Sequence, residues 1–164
     1  MRILVVSDTH VPVLARNVPD QVLEEAQACS VILHAGDIVS SGLLDQLIGL
    51  LPTYAVHGNQ DSPTVRTRLP SRRIVTLGRW KIGIVHGHEG TGMYTEDRAF
   101  NAFSSQRVDV IVFGHSHQPM NERRGGILMF NPGSPVAGRG GQGNTYGILE
   151  LGESVGSTIL NVTR

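Results

Sequence analysis

The sequence predicts an α/β fold built from two stacked mixed β-sheets flanked by helices, a four-layer sandwich. Three observations predict it. Nine short apolar, β-branched runs recur along the chain. Most are continuous rather than alternating, which suits strands covered on both faces. Helical repeats separate the early runs, whereas glycine-containing turns separate the later ones.

The runs are Ile3–Val6, Val31–Leu33, Thr53–Val56, Ile74–Leu77, Ile82–Val85, Val108–Phe113, Ile127–Phe130, Tyr146–Leu151 and Ser157–Val162. A first helix opens at Pro19 and turns Val22, Leu23 and Ala26 to one face. A second is capped by Ser40 or Ser41, with Leu43, Leu44, Leu47, Ile48 and Leu51 at helical spacing. A third follows Thr95, with Ala99, Phe100 and Phe103 inward. The first half thus reads β-α-β-α-β, which implies parallel strands and right-handed crossovers. In the second half, Gly78-Arg79 and Gly125-Gly126 each join two strand-like runs as hairpin turns. Residues 1–164 are expected to form one domain, a length that suits a single sizeable core.

Composition narrows the function. Basic and acidic side chains number 14 each, so no general attraction to nucleic acid or an anionic membrane is indicated. No apolar segment approaches 18 residues, the length of a membrane span. The opening run lacks the features of a secretion signal. The lone Cys29 permits no intrachain disulfide. These features point to a reducing compartment, and the protein is expected to be cytoplasmic. Whether it forms a homo-oligomer is open at this level.

The seven histidines carry more information. They fall in five windows: SDTH, LHAGD, VHGNQD, VHGHEG and FGHSH. Every window lies at or just past the end of an apolar run, and Asp8, Asp37, Asp61 and Glu89 join the histidines there. In β-α-β sheets the carboxyl ends of parallel strands share one edge. Residues far apart in sequence converge on that edge. Burying so many polar groups without partners would cost about 2–7 kcal/mol each. A metal centre supplies the partner. His, Asp and Asn together suit Mn, Fe, Zn or Ni. Asp-x-His or Gly-Asn-x-Asp alone has an ordinary structural role as its simplest explanation. Gly-His-x-His is a stronger signal, because two imidazoles two apart can both reach one site when the chain is extended. Five on one edge are not independent turns.

Asp8-x-His10, Gly36-Asp37, Gly58-Asn59-x-Asp61, His86-Gly-His88 and Gly114-His115-Ser-His117 resemble the motifs of the calcineurin-like metallophosphoesterases, in order and approximate spacing. Asn131-Pro-Gly-Ser134 and the small size resemble that family's compact prokaryotic phosphodiesterase branch. The resemblance implies two divalent cations, manganese first, with nickel, iron or zinc as alternatives. It places one on Asp8, His10, Asp37 and His117. It places the other on Asp37, Asn59, His86 and His115, with Asp37 bridging. The implied reaction is hydrolysis of a small phosphate ester by in-line attack of a hydroxide bridging the metals.

Asn59, Gln60 and His88 are the candidate catalytic side chains. Gln60 departs from the family, because many members carry a proton-donating histidine there. An amide can bond a phosphate oxygen but is no general acid. His88 or an Asp61-linked water could substitute. His34 and His57 are expected to support ligands rather than to act as ligands, and Asp61 to fix its turn or orient a ligand. Gly138-x-Gly-x-x-Gly143 lacks the flanking strand and helix of a dinucleotide loop. Arg139 reads as a solvated side chain or a substrate contact. Asn131–Ser134 reads mainly as a turn. Arg66, Arg68, Arg72 and Arg73 read as a solvated face. Two alternatives stand beside the phosphodiesterase: a protein-binding scaffold, since one retromer coat subunit is similar in fold, and a phosphomonoesterase or nuclease on the same site.

Overall fold

The computed structural model describes residues 1–163. The first sheet has the order β10-β9-β1-β2-β3. Its parallel part is β1 (Arg2–Val6), β2 (Val31–His34) and β3 (Thr53–Ala55). β9 (Thr145–Leu151) runs antiparallel to β1, and β10 (Val155–Asn161) antiparallel to β9. Helices α1 (Asp20–Ala26) and α2 (Ser41–Leu50) make the crossovers. The second sheet has the order β4-β5-β6-β8-β7. β5 (Trp80–Val85), β6 (Val110–Val112) and β8 (Ile127–Asn131) are parallel there. β4 (Arg72–Leu77) and β7 (Met120–Arg124) close the edges as antiparallel hairpin partners. α4 (Thr95–Asn101) precedes β6.

Strand periodicity explains the layering. In β1, Ile3 and Val5 face the second sheet and meet Ile82, Ile84, Val110, Val112 and Phe130. Leu4 and Val6 face the other way, onto Val22, Leu43, Leu44 and Leu47 of α1 and α2. In the second sheet, Ile111 and Met129 face Ala99 and Phe103 at α4. Helices, sheet, sheet and helix therefore stack in four layers. Both faces of the inner strands are covered, and this is why their sequences run apolar without alternating.

Local details differ from the sequence reading. Ser40, not Ser41, caps α2 by accepting from the Leu43 N–H. Ile48 matches the helical repeat but is half exposed, because α2 packs on the sheet through Leu43, Leu44 and Leu47. The run Val108–Phe113 is a strand only over its three central residues. β10 is an edge strand whose burial alternates. A short helix, α3 (Pro63–Arg68), was not anticipated. Its signals are present: Ser62 accepts from the Val65 N–H, and Pro63 opens the first turn. Its single apolar position, Val65, gave no periodicity to read. Among the described residues no helix is long and apolar enough to cross a membrane.

Candidate metal centre

All five histidine windows follow parallel strands at their carboxyl ends. β1 leads into Asp8 and His10, β2 into Asp37, β3 into Asn59, β5 into His86, and β6 into His115 and His117. Backbone bonds stitch the loops together. Asp8 N–H donates to Gly36 O at 3.0 Å, His10 N–H to Asp37 O at 3.0 Å, and Gly114 N–H to His86 O at 3.1 Å. The two sheets thus present one common edge.

The backbone is strained where the ligands sit. Asp8, His10, Asp37, His115 and His117 all have positive φ, between 46° and 67°. Val39 is the other non-glycine residue in that state among those described. An L-residue in this region costs about 1–2 kcal/mol. Such strain gathers where surrounding structure over-determines a functional geometry. Two glycines permit the crowding. A Cβ at Gly114 would lie 1.9 Å from Ser7 Oγ and 2.7 Å from Asp8 Oδ2. One at Gly58 would lie 2.2 Å from Asp37 Oδ1.

The donor atoms form two groups. In the first, His10 Nε2 lies 3.1 Å from His117 Nε2, and Asp8 Oδ1 lies 3.4 Å from His117 Nε2 and 3.9 Å from His10 Nε2. In the second, Asn59 Oδ1 lies 3.2 Å from both His86 Nε2 and His115 Nδ1. Asp37 Oδ2 stands between the groups, 3.7 Å from His10 Nε2 and 3.3 Å from His86 Nε2. Donors about 2.1 Å from one cation lie about 3.0–3.4 Å apart, for octahedral or tetrahedral angles. The observed spacings fit such cations. Asp8 Oδ1 is the sharper sign, since it is fully buried and has no hydrogen-bond partner. The other oxygen, Oδ2, accepts from Ser7 Oγ at 2.7 Å and the His115 N–H at 3.0 Å. A lone buried carboxylate oxygen facing imidazole nitrogens is what a bound cation would satisfy.

Surrounding groups aim these donors. His86 Nδ1 lies 2.7 Å from Ala35 O, and His117 Nδ1 lies 2.8 Å from Ala137 O. Each contact puts the proton on Nδ1 and turns the Nε2 lone pair inward. Asp61 is buried and accepts from the N–H groups of Asp37, Gly58 and Val39. It fixes the turns that carry Asp37 and Asn59 and faces neither donor group. Asp37 Oδ1 accepts from the Gln60 N–H at 2.8 Å, which frees Oδ2.

Electrostatics follow the same pattern. Burial opposes ionisation of Asp37, but the hydrogen bond and charge of His86 outweigh it and hold the carboxyl at about 2. Burial also opposes charge on His86, yet Asp37 and Asp8 push that imidazole up to about 8. Asp8 is held low as well, its burial offset by His117 and His86. Burial lowers His10 and His115, which favours the neutral, ligating form.

The remaining residues sort as follows. Burial pushes His34 down to about 3; it contacts Thr9 Oγ1 at 3.0 Å and accepts from the Gly36 N–H, so it supports the loop. His57 contacts only Gly58 O, at 3.4 Å, among the described residues. A cavity of about 290 Å³ opens over the donors, and Gln60 lines it. His88 does not line it. Its Nε2 pairs with Glu89 Oε1 at 3.2 Å, and its ring borders a neighbouring cavity with Ser71 and Arg72.

Three supports escaped the sequence reading. Asn131–Ser134 is more than a turn. Ser134 Oγ donates to Asp8 O at 2.8 Å, and Asn131 Nδ2 donates to Gly114 O at 3.1 Å. Arg66 is not simply solvated; it donates to Asp61 O and Asn59 O. Ser7 positions Asp8. Ser134 and Asn131 lie far from the windows in sequence, and only the topology brings them beneath the loops.

The profile of the calcineurin-like phosphoesterase superfamily domain matches residues 1–154. The chain belongs to this superfamily. Among curated relatives of this chain is a probable metallophosphoesterase from Methanothermobacter thermautotrophicus, 32% identical over 85% of this chain and 80% of the relative. Phosphodiesterase YfcE of Escherichia coli is 33% identical over 58% of this chain and 51% of that protein. In fold the chain is similar to Vps29 from Entamoeba histolytica, solved in complex with zinc. That likeness has a TM-score of 0.78 at 22% identity and covers 98% of each chain.

Proposed function

We propose that this chain is a two-metal phosphodiesterase acting as a single domain. The observation that carries the reading is the pair of donor groups sharing Asp37, with the unpartnered Asp8 Oδ1 at their edge. Asp8, His10, Asp37 and His117 would hold one divalent cation; Asp37, Asn59, His86 and His115 would hold the other. Manganese is the first candidate, and nickel, iron and zinc suit the same donors. Such a pair, when bound, neutralises a phosphate ester and makes hydroxide available at neutral pH. The chain does the rest. Two carboxylates balance only part of the cation charge, and the neutral imidazoles and Asn59 add none. The floor of the cavity is left positive towards phosphate. Gln60 lines that cavity and is placed to donate to a phosphate oxygen.

The names of the relatives support a hydrolase of phosphate esters. The Vps29 likeness speaks to fold alone. Turnover is what separates an enzyme from a scaffold on this fold. Protein loaded with Mn²⁺ or Ni²⁺ is expected to hydrolyse bis-p-nitrophenyl phosphate and to lose that activity to a chelator. An absence of chelator-sensitive turnover with every metal tried would refute the reading.

A further inference from the structure

Apart from the candidate ligands, the cavity wall consists of Val13, Leu14, Gln60 and Arg139. None of these can give up a proton at neutral pH. Val13 and Leu14 are unusually bare, at 69% and 55% exposure. Arg139 is exposed too. Arg2, Arg68 and Arg124 pair with carboxylates, whereas Arg139 has no ion-pair partner among the described residues.

Its backbone, by contrast, is fixed. The Arg139 N–H donates to His117 O at 2.9 Å, tying the residue to a candidate ligand. Just before it, the Gly138 N–H donates to Asn144 Oδ1 at 2.9 Å. A Cβ at Gly138 would lie 1.7 Å from Gly143 O, so the neck of this loop closes only around glycine. This glycine-rich loop thus mounts one free guanidinium at the rim of the site.

We infer that the site is built for an organic diphosphate, R–O–P–O–P, with Arg139 receiving the departing phosphate; this rests on the two-metal reading above. The leaving-group chemistry decides it. An alkoxide leaves with a conjugate-acid pKa near that of water, about 16, and needs a proton. A phosphate monoester dianion leaves with a conjugate-acid pKa of about 6 and needs none. Hydroxide from water forms a new bond to the distal phosphorus. The P–O bond to the phosphate that carries R breaks, and its electron pair leaves with R-phosphate. The proton lost by the water passes to solvent. Products are R-phosphate and inorganic phosphate. Arg139 offers a planar donor fork matched to phosphate oxygens, and Val13 and Leu14 offer apolar surface to R.

Binding and turnover test this separately. Metal-loaded wild type and Arg139→Gln are titrated by calorimetry with methylene diphosphonate, whose P–C–P bridge resists cleavage, and with methyl phosphonate. Comparing the two proteins cancels each ligand's own affinity for the cations. Arg139→Gln is expected to weaken the diphosphonate about 10- to 100-fold, and methyl phosphonate by less than about fivefold. Arg139→Lys should recover part of the loss. Equal losses for the two ligands, or none, overturn the assignment. In turnover, an alkyl diphosphate is expected to exceed a dialkyl phosphodiester by about 10²-fold or more in kcat/KM. Equal rates, with bis-p-nitrophenyl phosphate still hydrolysed, overturn this inference and leave the phosphoesterase standing. No chelator-sensitive turnover of any ester overturns both.

Discussion

Replacing Asp61 with alanine tests whether the metal loops are held by one buried carboxylate. Asp61 is 5% exposed, and it accepts from the N–H groups of Asp37 at 3.0 Å, Gly58 at 2.6 Å and Val39 at 2.6 Å. Alanine leaves all three donors without that acceptor, and the loops are too tightly crossed for water to replace it fully. A hydrogen bond to a charged group contributes about 1.5–3 kcal/mol, and an unsatisfied buried donor costs about 1–3 kcal/mol. Partial relaxation trims the sum, so the expected loss is about 3–6 kcal/mol. With a urea slope of about 2 kcal/mol per M, the unfolding midpoint should fall by about 1.5–3 M. Asp61→Asn keeps an acceptor oxygen but turns an amide N–H₂ towards a backbone N–H, so its loss should be smaller. Metal affinity, read by calorimetry, should also fall about 10- to 100-fold, because Asp37 loses its anchor. A midpoint shift below about 0.5 M with unchanged metal affinity would refute the reasoning.

Further expectations come from single contacts. Asp37→Ala removes the atom shared by the two donor groups and should abolish chelator-sensitive phosphodiester hydrolysis in a stopped assay, while circular dichroism still shows a folded chain. Gly114→Ala would set a methyl 1.9 Å from Ser7 Oγ, and thermal melting should show a loss of about 1–3 kcal/mol. Ser134→Ala removes the bond to Asp8 O and should cost about 1–2 kcal/mol in the same assay. His86 is raised to about 8 by its carboxylate neighbours, above its ordinary 6.5. In the metal-free protein its stabilising effect is therefore complete below about pH 6.5 and lost as pH rises through 8. Metal binding must displace that proton, so apparent affinity should climb with pH and level off near 8; titrations at several pH values read this.

The architecture was legible because burial on both faces leaves a mark on sequence. Ile3–Val6 and Val31–Leu33 read as inner strands since every residue meets a layer. Gly78 in one turn and Gly125-Gly126 in the other marked the hairpins for a physical reason, namely the left-handed conformation they adopt. The candidate centre was legible because parallel strands share one carboxyl edge, so strand ends forecast that the five histidine windows would gather there, and the family resemblance implied which side chains, Asp8, Asp37 and His117 among them, would share a cation. Contacts made without periodicity were not legible. Ser134 under Asp8, and Arg66 across the Asn59 turn, depend on chain crossings that no local pattern encodes. α3 was short and had one buried side chain. The presentation of Arg139 depends on a loop neck closed by Asn144, which reads as featureless glycine-rich chain until its ends are seen together.

Anomalous diffraction from crystals equilibrated with Mn²⁺ most directly tests whether residues from five strand ends chelate a cation pair. Two peaks about 3.5–4 Å apart are expected, with Asp37 touching both. A single peak, or none, at saturating Mn²⁺ would contradict the account.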